Sequence, residues 1–275
     1  MNVTFDVTSS DSAYDFLLDT LGLKPDELIM EYLVECDGDV DLFVEKNEYR
    51  LEDLCLQDVH FIGFHVTASL DDCNEIKANG IRDLQYVLSH DTMLSRFLKL
   101  GGIQFDIENC LMYINGQRFD IDFENFRRKI LLSPKEELLD PIAHRIYYDF
   151  CLDGYWASDN VEGYGTDIHK RPEFISKLIK IPPKANSLDA YWRSKSKPYK
   201  IFFYATLDQI HKFTFGLEKN TDAYNEDEQK AVKRWMMRVA MQQAFEPRGD
   251  LYIYIADHQH IPVEQIIKYE VRDTD

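Results

Sequence analysis

The eight-residue run "VHFIGFHV" at 59–66 constrains the fold more than any other stretch of the chain. It is too continuously apolar to form an edge strand that faces water, so it predicts a buried strand. Further strands are predicted in "CLMYINGQRFDID", "KPYKIFFYATLDQI", "DLYIYIAD" and "IIKYEV". From about residue 59 onward we therefore expect a domain of mixed α and β structure.

Short-range signals place the turns and helices of this domain. Asn115-Gly116 predicts a type I′ hairpin turn, and Ser69 with Asp72 resembles a capping box at the start of "SLDDCNEIKANGI". Helices are predicted over 122–132 and 138–150. Asn225, with a glutamate three residues later, opens a long helix. The predicted core stripe of that helix is Val232, Trp235, Met236, Val239, Ala240 and Gln243.

The acidity of the chain is concentrated at its N-terminus. The net charge is −18, and residues 1–60 contain 16 acidic and 3 basic residues, whereas the rest of the chain carries only −5. We interpret residues 1–58 as an acidic helical N-terminal segment and 59–275 as the main domain. Four explanations of this acidity stay open: a solvated helical face, a docking surface for a basic partner, a nucleic-acid mimic, or an internal cover for a site.

Within the acidic segment, apolar spacing predicts two helices. The first carries Tyr14, Leu17, Leu18 and Leu21 on one face, and Gly22 ends it. Pro25 opens the second helix. Its predicted buried stripe is Leu28, Ile29, Tyr32 and Leu33.

Several classes of protein are not favoured by the sequence. Five scattered cysteines without a C-x-x-C pair indicate reduced thiols and a cytoplasmic location, and no signal peptide or membrane span is predicted. Phosphate-loop, dinucleotide-binding and serine-hydrolase motifs are missing. Asp257, His258 and His260 have metal-ligand chemistry, but a polar loop explains them better.

Three segments, covering about a third of the chain, resemble the ADP-ribosyltransferase superfamily of the His-Tyr-Glu type. "FHVTASLDDCNEIKANGI" resembles its first motif, with a strand ending in His-x-Thr and a helix ending in Gly-Ile. "GYWASDNVEGYGTDIHKRPEFISKL" is similar to the tyrosine-bearing middle segment, and "DLYIYIADHQHIPVEQIIKYEV" to the closing hairpin. The resemblance implies a split mixed β-sheet core with helices, NAD as the substrate and no metal.

The resemblance also implies residue roles. His65 would hold the ribose next to nicotinamide, while the main chain near it, at Val66, grips the carboxamide. The hydroxyl of Thr67 would add a second contact to the sugar or hold the imidazole. Tyr164 is the preferred ring for stacking on nicotinamide, with Tyr155 as the alternative, and Arg171 would bind the pyrophosphate. Structural interpretations stay open: His65 as a core histidine, Thr67 as a helix cap and Tyr155 with Trp156 as sheet core. Arg171 has an alternative of its own, an ion pair with Glu173 or an acidic loop.

A carboxylate is needed near the ribose. Breaking the bond between ribose and nicotinamide develops positive charge on the sugar, which a carboxylate stabilises. Asp250, at the start of "LYIYIAD", is preferred over Glu246 because an apolar strand beside it should desolvate and aim it. Glu264 is a third candidate. The aspartate at position 250 is the largest departure from the family, in which the catalytic acid is usually a glutamate.

The function that we predict is an NAD-dependent ADP-ribosyltransferase, a glycosyltransferase that acts as an intracellular toxin or phage-defence effector. It would cleave the nicotinamide–ribose bond and modify an unidentified protein or nucleic acid, with a basic partner or antitoxin at the acidic segment. The alternatives are an acidic non-enzymatic binding or decoy protein, and a catalytically inactive transferase-like module that binds a nucleotide.

Overall fold

The structure is a computed structural model that describes residues 3–149, 152–158, 167–181, 185–217, 224–247 and 249–272. Over these residues the fold is α+β, as the sequence predicts. Within the described ranges, eleven α-helices accompany two β-sheets whose strands are mostly antiparallel. Among the helices of these ranges, none combines the length and the apolar composition that crossing a membrane requires.

Strands and α-helices are interspersed along the chain, with the following bounds. The strands are β1 (Val3–Asp6), β2 (Val59–Ser69), β3 (Ile103–Asp106), β4 (Leu111–Ile114), β5 (Gln117–Asp120), β6 (Asp153–Ala157), β7 (Lys197–Ala205), β8 (Leu251–Tyr254) and β9 (Ile266–Val271). The α-helices are α1 (Ser10–Leu21), α2 (Pro25–Ile29), α3 (Val40–Asn47), α4 (Asn74–Asn79), α5 (Leu84–Ser89), α6 (Met93–Leu100), α7 (Phe123–Arg127), α8 (Pro134–Tyr147), α9 (Glu173–Leu178), α10 (Ala185–Lys195) and α11 (Glu226–Phe245). A π-helix at Met30–Glu35 continues α2.

The larger sheet has the strand order β8-β6-β2-β7-β9, and β1 pairs in parallel with β2. β2 is interior to this order and mostly buried, which confirms the prediction from "VHFIGFHV". The pairing of β1 begins at Val3 opposite Val59. The sequence did not predict β1, which lies inside the segment expected to be helical.

The chain divides into two compact units. Unit 1 comprises residues 1–64, 154–160 and 202–256, and unit 2 comprises residues 65–153, 161–201 and 257–275. Each unit is built from three separate stretches of chain, so residues far apart in sequence share one core.

Aromatic side chains form much of the core of unit 1. Phe5 of β1 is fully buried, and its ring lies 5.7 Å from the ring of Trp156 and 5.9 Å from that of Trp235. α1 packs along α11. Gly22 ends α1 in the left-handed conformation, and Asn225 caps α11 with Glu228, as predicted.

Unit 2 contains the second sheet, an antiparallel meander in the order β3-β4-β5. Asn115 and Gly116 connect β4 to β5 with φ values of 51° and 81°, which confirms the predicted hairpin turn. Trp192 of α10 is fully buried, and its indole N–H donates to the carbonyl of Ala68 at 3.0 Å. This hydrogen bond connects α10 to the end of β2.

Helix boundaries differ from the prediction at three places. α4 begins only at Asn74, because β2 continues to Ser69 and both Asp72 and Cys73 have positive φ. The predicted capping box is therefore wrong: Ser69 Oγ accepts from the N–H of Cys73, whereas Asp72 accepts from Lys197. The helix predicted over 122–132 is the short α7, and the one predicted over 138–150 is α8, which starts earlier, at Pro134.

Candidate functional site

His65 lies in the second half of β2 and is half-buried in unit 2. Its ring Nδ1 is 2.8 Å from the main-chain carbonyl oxygen of Asp153. A carbonyl oxygen only accepts hydrogen bonds, so Nδ1 carries the proton and donates it. In the neutral imidazole, Nε2 is then the acceptor. The ring is thus fixed in both tautomer and orientation.

Val66 and Thr67 follow His65 within the same strand. Val66 is buried and Thr67 is half-buried. Because β2 continues to Ser69, Thr67 does not cap a helix, and that interpretation of the hydroxyl was wrong. Ser69 Oγ accepts from the N–H groups of Asp71 and Cys73 in the turn before α4, and Asp71 accepts from the N–H of Glu75 in the first turn of that helix.

The Gly-Ile pair that ends the first motif contacts the "HIP" stretch of the closing segment. Ile81 and Ile261 exchange two main-chain hydrogen bonds, of 2.8 and 3.0 Å. Gly80 has a φ of 75°, and a Cβ atom there would lie 2.2 Å from the carbonyl oxygen of Ile261. Only glycine fits, because a side chain would push the two segments apart.

A largely buried arginine lies beside the residue that orients His65. Arg145 of α8, with 11% of its side chain exposed, forms ion pairs with Asp149 at 3.0 Å, Asp153 at 3.4 Å and Glu173 at 3.7 Å. Burial alone would lower the pKa of Arg145, but the three carboxylates raise it. For Asp153, burial raises the pKa, and Arg145 opposes that effect. This cluster, which the sequence did not predict, anchors the start of β6.

Arg171 is buried in a chain of alternating charges within unit 2. Its Nε lies 2.5 Å from Oδ1 of Asp189, whose Oδ2 accepts from Arg193 Nε at 2.9 Å. Arg193 also donates to Asp167 at 3.0 Å. An ion pair was one interpretation of Arg171, but Asp189 forms it rather than Glu173, which pairs with Arg145 and Lys177.

Two tyrosines, Tyr155 and Tyr164, were predicted to stack on nicotinamide. Tyr155 of β6 is only 5% exposed, and its ring lies between those of Phe64, at 5.4 Å, and Tyr252, at 5.2 Å. This packing is that of a core side chain in unit 1. Trp156 is fully buried as well. Tyr164 lies outside the described residues.

The candidate catalytic carboxylates Asp250 and Glu246 are both exposed on unit 1. Asp250 directly precedes β8, accepts a hydrogen bond from Ser158 Oγ and lies 3.5 Å from the hydroxyl of Tyr252. The expected desolvation of Asp250 was wrong, because the apolar side chains of the strand begin only after it. Glu246 ends α11, where its N–H donates to the carbonyl of Gln242.

The remaining candidates lie on the closing segment of unit 2. Glu264 is exposed in the turn Val263–Gln265 before β9. His258 is exposed with a φ of 64°, and His260 is half-buried, where burial lowers its pKa. Within the part of the chain that the structure describes, no group of three or more His, Cys, Asp or Glu side chains is arranged to hold a metal ion.

The sequence thus predicted candidate site residues in both units. It did not predict the ion-pair cluster around Arg145, which lies beside the residue that orients His65. His65, Val66, Thr67 and Arg171 belong to unit 2, while Tyr155, Glu246 and Asp250 belong to unit 1. An i, i+4 spacing of Arg145 and Asp149 was the available signal for the missed cluster, but such pairs are common on solvated helix faces. In a comparison with known proteins, no family model, no curated protein and no solved structure matches the chain.

Proposed function

We propose that the chain is an NAD-dependent ADP-ribosyltransferase that transfers ADP-ribose to a macromolecular acceptor. The observation that carries this proposal is the hydrogen bond from His65 Nδ1 to the carbonyl of Asp153. It leaves Nε2 as a fixed acceptor, and a ribose hydroxyl is a donor of the kind that such a nitrogen binds.

The order of the strands supports the same proposal. β2 carries His65, β6 carries the start of the tyrosine segment, and β8 follows Asp250. These strands are consecutive in the sheet as β2, β6 and β8. Each of the three segments that resemble the superfamily therefore contributes one of these neighbouring strands. The closing segment does not form the predicted hairpin, however, because its second strand, β9, lies at the opposite edge of the sheet from β8. A split mixed sheet of the ADP-ribosyltransferase type is part of the proposal.

In the proposed reaction, the bond between ribose C1′ and the nicotinamide nitrogen breaks, and nicotinamide leaves with the bonding electrons. Positive charge develops on the ribose, and Asp250, or alternatively Glu246, stabilises it. The nucleophilic atom of the acceptor then bonds to C1′ and gives up its proton. Tyr164 is the proposed stacking ring, because Tyr155 is packed in the core. Arg171 is not retained as the pyrophosphate ligand, because it is buried and paired with Asp189.

The proposed setting is the cytoplasm, where the protein would act as a toxin or a phage-defence effector. Cys36, Cys55, Cys73 and Cys110 are free thiols, which a reducing compartment maintains. The resemblance to bacterial and phage effectors supports the choice of a protein or nucleic acid as the acceptor. An antitoxin or other basic partner is the proposed ligand of the acidic segment.

The test is to incubate the full chain with NAD and cell extract, and to measure free nicotinamide and labelled ADP-ribose on macromolecules. We expect His65→Ala to slow nicotinamide release by at least about 100-fold, on the order of 3 kcal/mol of transition-state stabilisation. His60→Ala is the matched control. His60 lies in the same strand and stacks on Tyr204 at 4.1 Å, so its loss should leave the rate within about threefold.

Three results would contradict the proposal. Wild-type protein that binds NAD without releasing nicotinamide would be a nucleotide-binding module, and protein that neither binds nor cleaves NAD would favour a non-enzymatic binding function. A His65→Ala variant with a lower melting temperature and undiminished activity per folded molecule would make His65 a structural residue.

A further inference from the structure

Two exposed apolar surfaces of opposite charge lie on this chain, one in each unit. The first, here called the acidic face, consists of Ile29, Met30, Leu33 and Val34 with the carboxylates around them. These four apolar side chains are 42%, 52%, 51% and 65% exposed. Contiguous exposed apolar side chains on a folded protein mark an interaction site more often than chance.

The acidic face arises from a change in helical period. α2 is continued by the π-helix Met30–Glu35, in which the N–H of Cys36 donates to the carbonyl of Glu31, five residues back. Leu28 and Tyr32 are buried at a four-residue spacing. Ile29 and Leu33, predicted to be buried with them, instead face solvent. π-Helical segments are rare and occur frequently at functional sites.

The charge around this face is mainly negative, although two cations from the following segment pair with carboxylates there: Lys46 with Glu35, and Arg50 with Glu31. Residues 26–45 contain eight acidic side chains and no lysine or arginine. Asp26, Glu27, Glu35 and Asp37 are exposed next to the apolar stripe. A partner for this face must therefore present apolar side chains together with cations.

The second surface, here called the basic loop, is the segment 127–135, which runs from the last residue of α7 to the second residue of α8. Ile130 is 99% exposed and Leu131 is 85% exposed. Four exposed cations accompany them, Arg127, Arg128, Lys129 and Lys135, of which Lys129 also pairs with Glu136 of the same chain. The loop is held at both ends, because Phe126 is buried before it and Ser133 caps α8 after it. Its two apolar side chains are thus presented to solvent by an anchored segment.

We propose that the basic loop of one copy of the chain docks on the acidic face of a second copy. Ile130 and Leu131 would cover the stripe formed by Ile29, Met30, Leu33 and Val34, while the cations of the loop face the surrounding carboxylates. On the acidic face, a second copy takes the place of the antitoxin or other basic partner proposed above for the acidic segment, because one contact then accounts for both surfaces. A foreign basic partner would cover the acidic face and leave Ile130 and Leu131 exposed.

This contact joins different surfaces of the two copies, so the copy that supplies its loop keeps its acidic face free, and the copy that supplies its face keeps its loop free. Self-association of that kind continues until a ring closes or a chain of subunits forms. The proposal is independent of the enzymatic function, since neither surface contains a residue assigned to NAD.

The test uses sedimentation velocity on the full chain at low salt and on two variants. The loop variant is Ile130→Ser with Leu131→Ser, and the face variant is Met30→Ser with Val34→Ser. We expect the wild type to exceed the mass of one chain at a protein concentration on the order of 100 μM, and each variant to sediment as a single chain. An equimolar mixture of the two variants should form a species of two chains, because each supplies the surface that the other lacks.

Controls separate this contact from non-specific association. Leu100 is 89% exposed but lies outside both surfaces, so Leu100→Ser should associate like the wild type. Arg128→Glu keeps both apolar side chains of the loop and should weaken association at least tenfold, and added salt should weaken it in the wild type. Wild-type protein that remains a single chain, a variant mixture that does not pair, or equal loss in Leu100→Ser would overturn the proposal.

Discussion

The candidate carboxylates Asp250 and Glu246 differ most in the contacts and secondary-structure elements that orient their side chains. Asp250 accepts a hydrogen bond from Ser158, at the end of β6, and sits immediately before β8. Glu246 ends α11 with no strand to direct it, and the negative end of a helix dipole disfavours a carboxylate at this position. Although both side chains are exposed, Asp250 is the better oriented, and orientation is what stabilisation of a developing charge requires.

At this position we expect Asp250→Asn to abolish ADP-ribosyl transfer while NAD still binds. The substitution removes the charge and nearly preserves the shape, so the loss falls on the rate and not on the dissociation constant. Single-turnover nicotinamide release and NAD titration by calorimetry measure the two quantities separately. Full activity in Asp250→Asn together with loss in Glu246→Gln would transfer the role to Glu246. Full activity in both would remove the carboxylate from the proposed mechanism.

Among the helices and strands, β1 contributes most to the packing of the unit 1 core for its length. It contributes four residues, yet Phe5 is fully buried against Phe16, Phe61 and Trp156 in unit 1. Truncating a buried phenylalanine leaves a cavity among rigid aromatic rings that relax little. Removal of the N-terminal residues would therefore unpack the core of unit 1, and the acidic segment that follows β1 cannot be treated as a simple appendage.

We expect Phe5→Ala to lower the free energy of unfolding by about 3–5 kcal/mol, measured by urea denaturation. Thr4→Ala is the matched control, because Thr4 is exposed on the same strand and its loss should change stability by less than about 0.5 kcal/mol. Equal destabilisation by both substitutions would mean that strand pairing, and not the ring of Phe5, dominates the contribution of β1.

The elements that the sequence predicted correctly are those determined by neighbouring residues. The turn at Asn115-Gly116, the stop at Gly22 and the cap at Asn225 each depend on a few adjacent side chains. β1 was missed because a four-residue strand forms through parallel pairing with β2, which lies more than fifty residues later. The outward orientation of Ile29 and Leu33 was missed because the π-helix replaces the α-helical period on which the prediction rested.

The candidate site was predicted only in part for a related reason. His65 was found from the local strand pattern, but the carbonyl of Asp153 that fixes its tautomer belongs to a strand 88 residues away. Arg145 was placed in a predicted helix, where nothing distinguished it from a solvated arginine. Its three carboxylate partners come from the end of α8, from β6 and from α9, so only the folded chain brings them together.

For the molecule as a whole, charge is distributed unevenly and is only partly compensated. Basic residues of α11 bind the acidic segment within unit 1: Arg238 pairs with Asp41 at 2.6 Å and Arg234 with Glu48 at 3.2 Å. All four side chains are substantially exposed, so each pair contributes little to stability. Sixteen acidic residues in the first 60 outnumber these cations. Repulsion among the carboxylates is therefore expected to exceed the attraction in the exposed pairs.

We accordingly expect salt to stabilise the fold while it weakens the proposed contact between copies. Raising NaCl from about 10 mM to about 150 mM shortens the Debye length from about 30 Å to about 8 Å, which screens repulsion across the acidic segment. The melting temperature of the loop variant, which is expected to remain a single chain, should rise by a few degrees. Using that variant removes any contribution of association to stability. A melting temperature that falls with salt would show that the attraction between Arg238 and Asp41 and between Arg234 and Glu48 outweighs the repulsion, so that the acidic segment is held to unit 1 by charge.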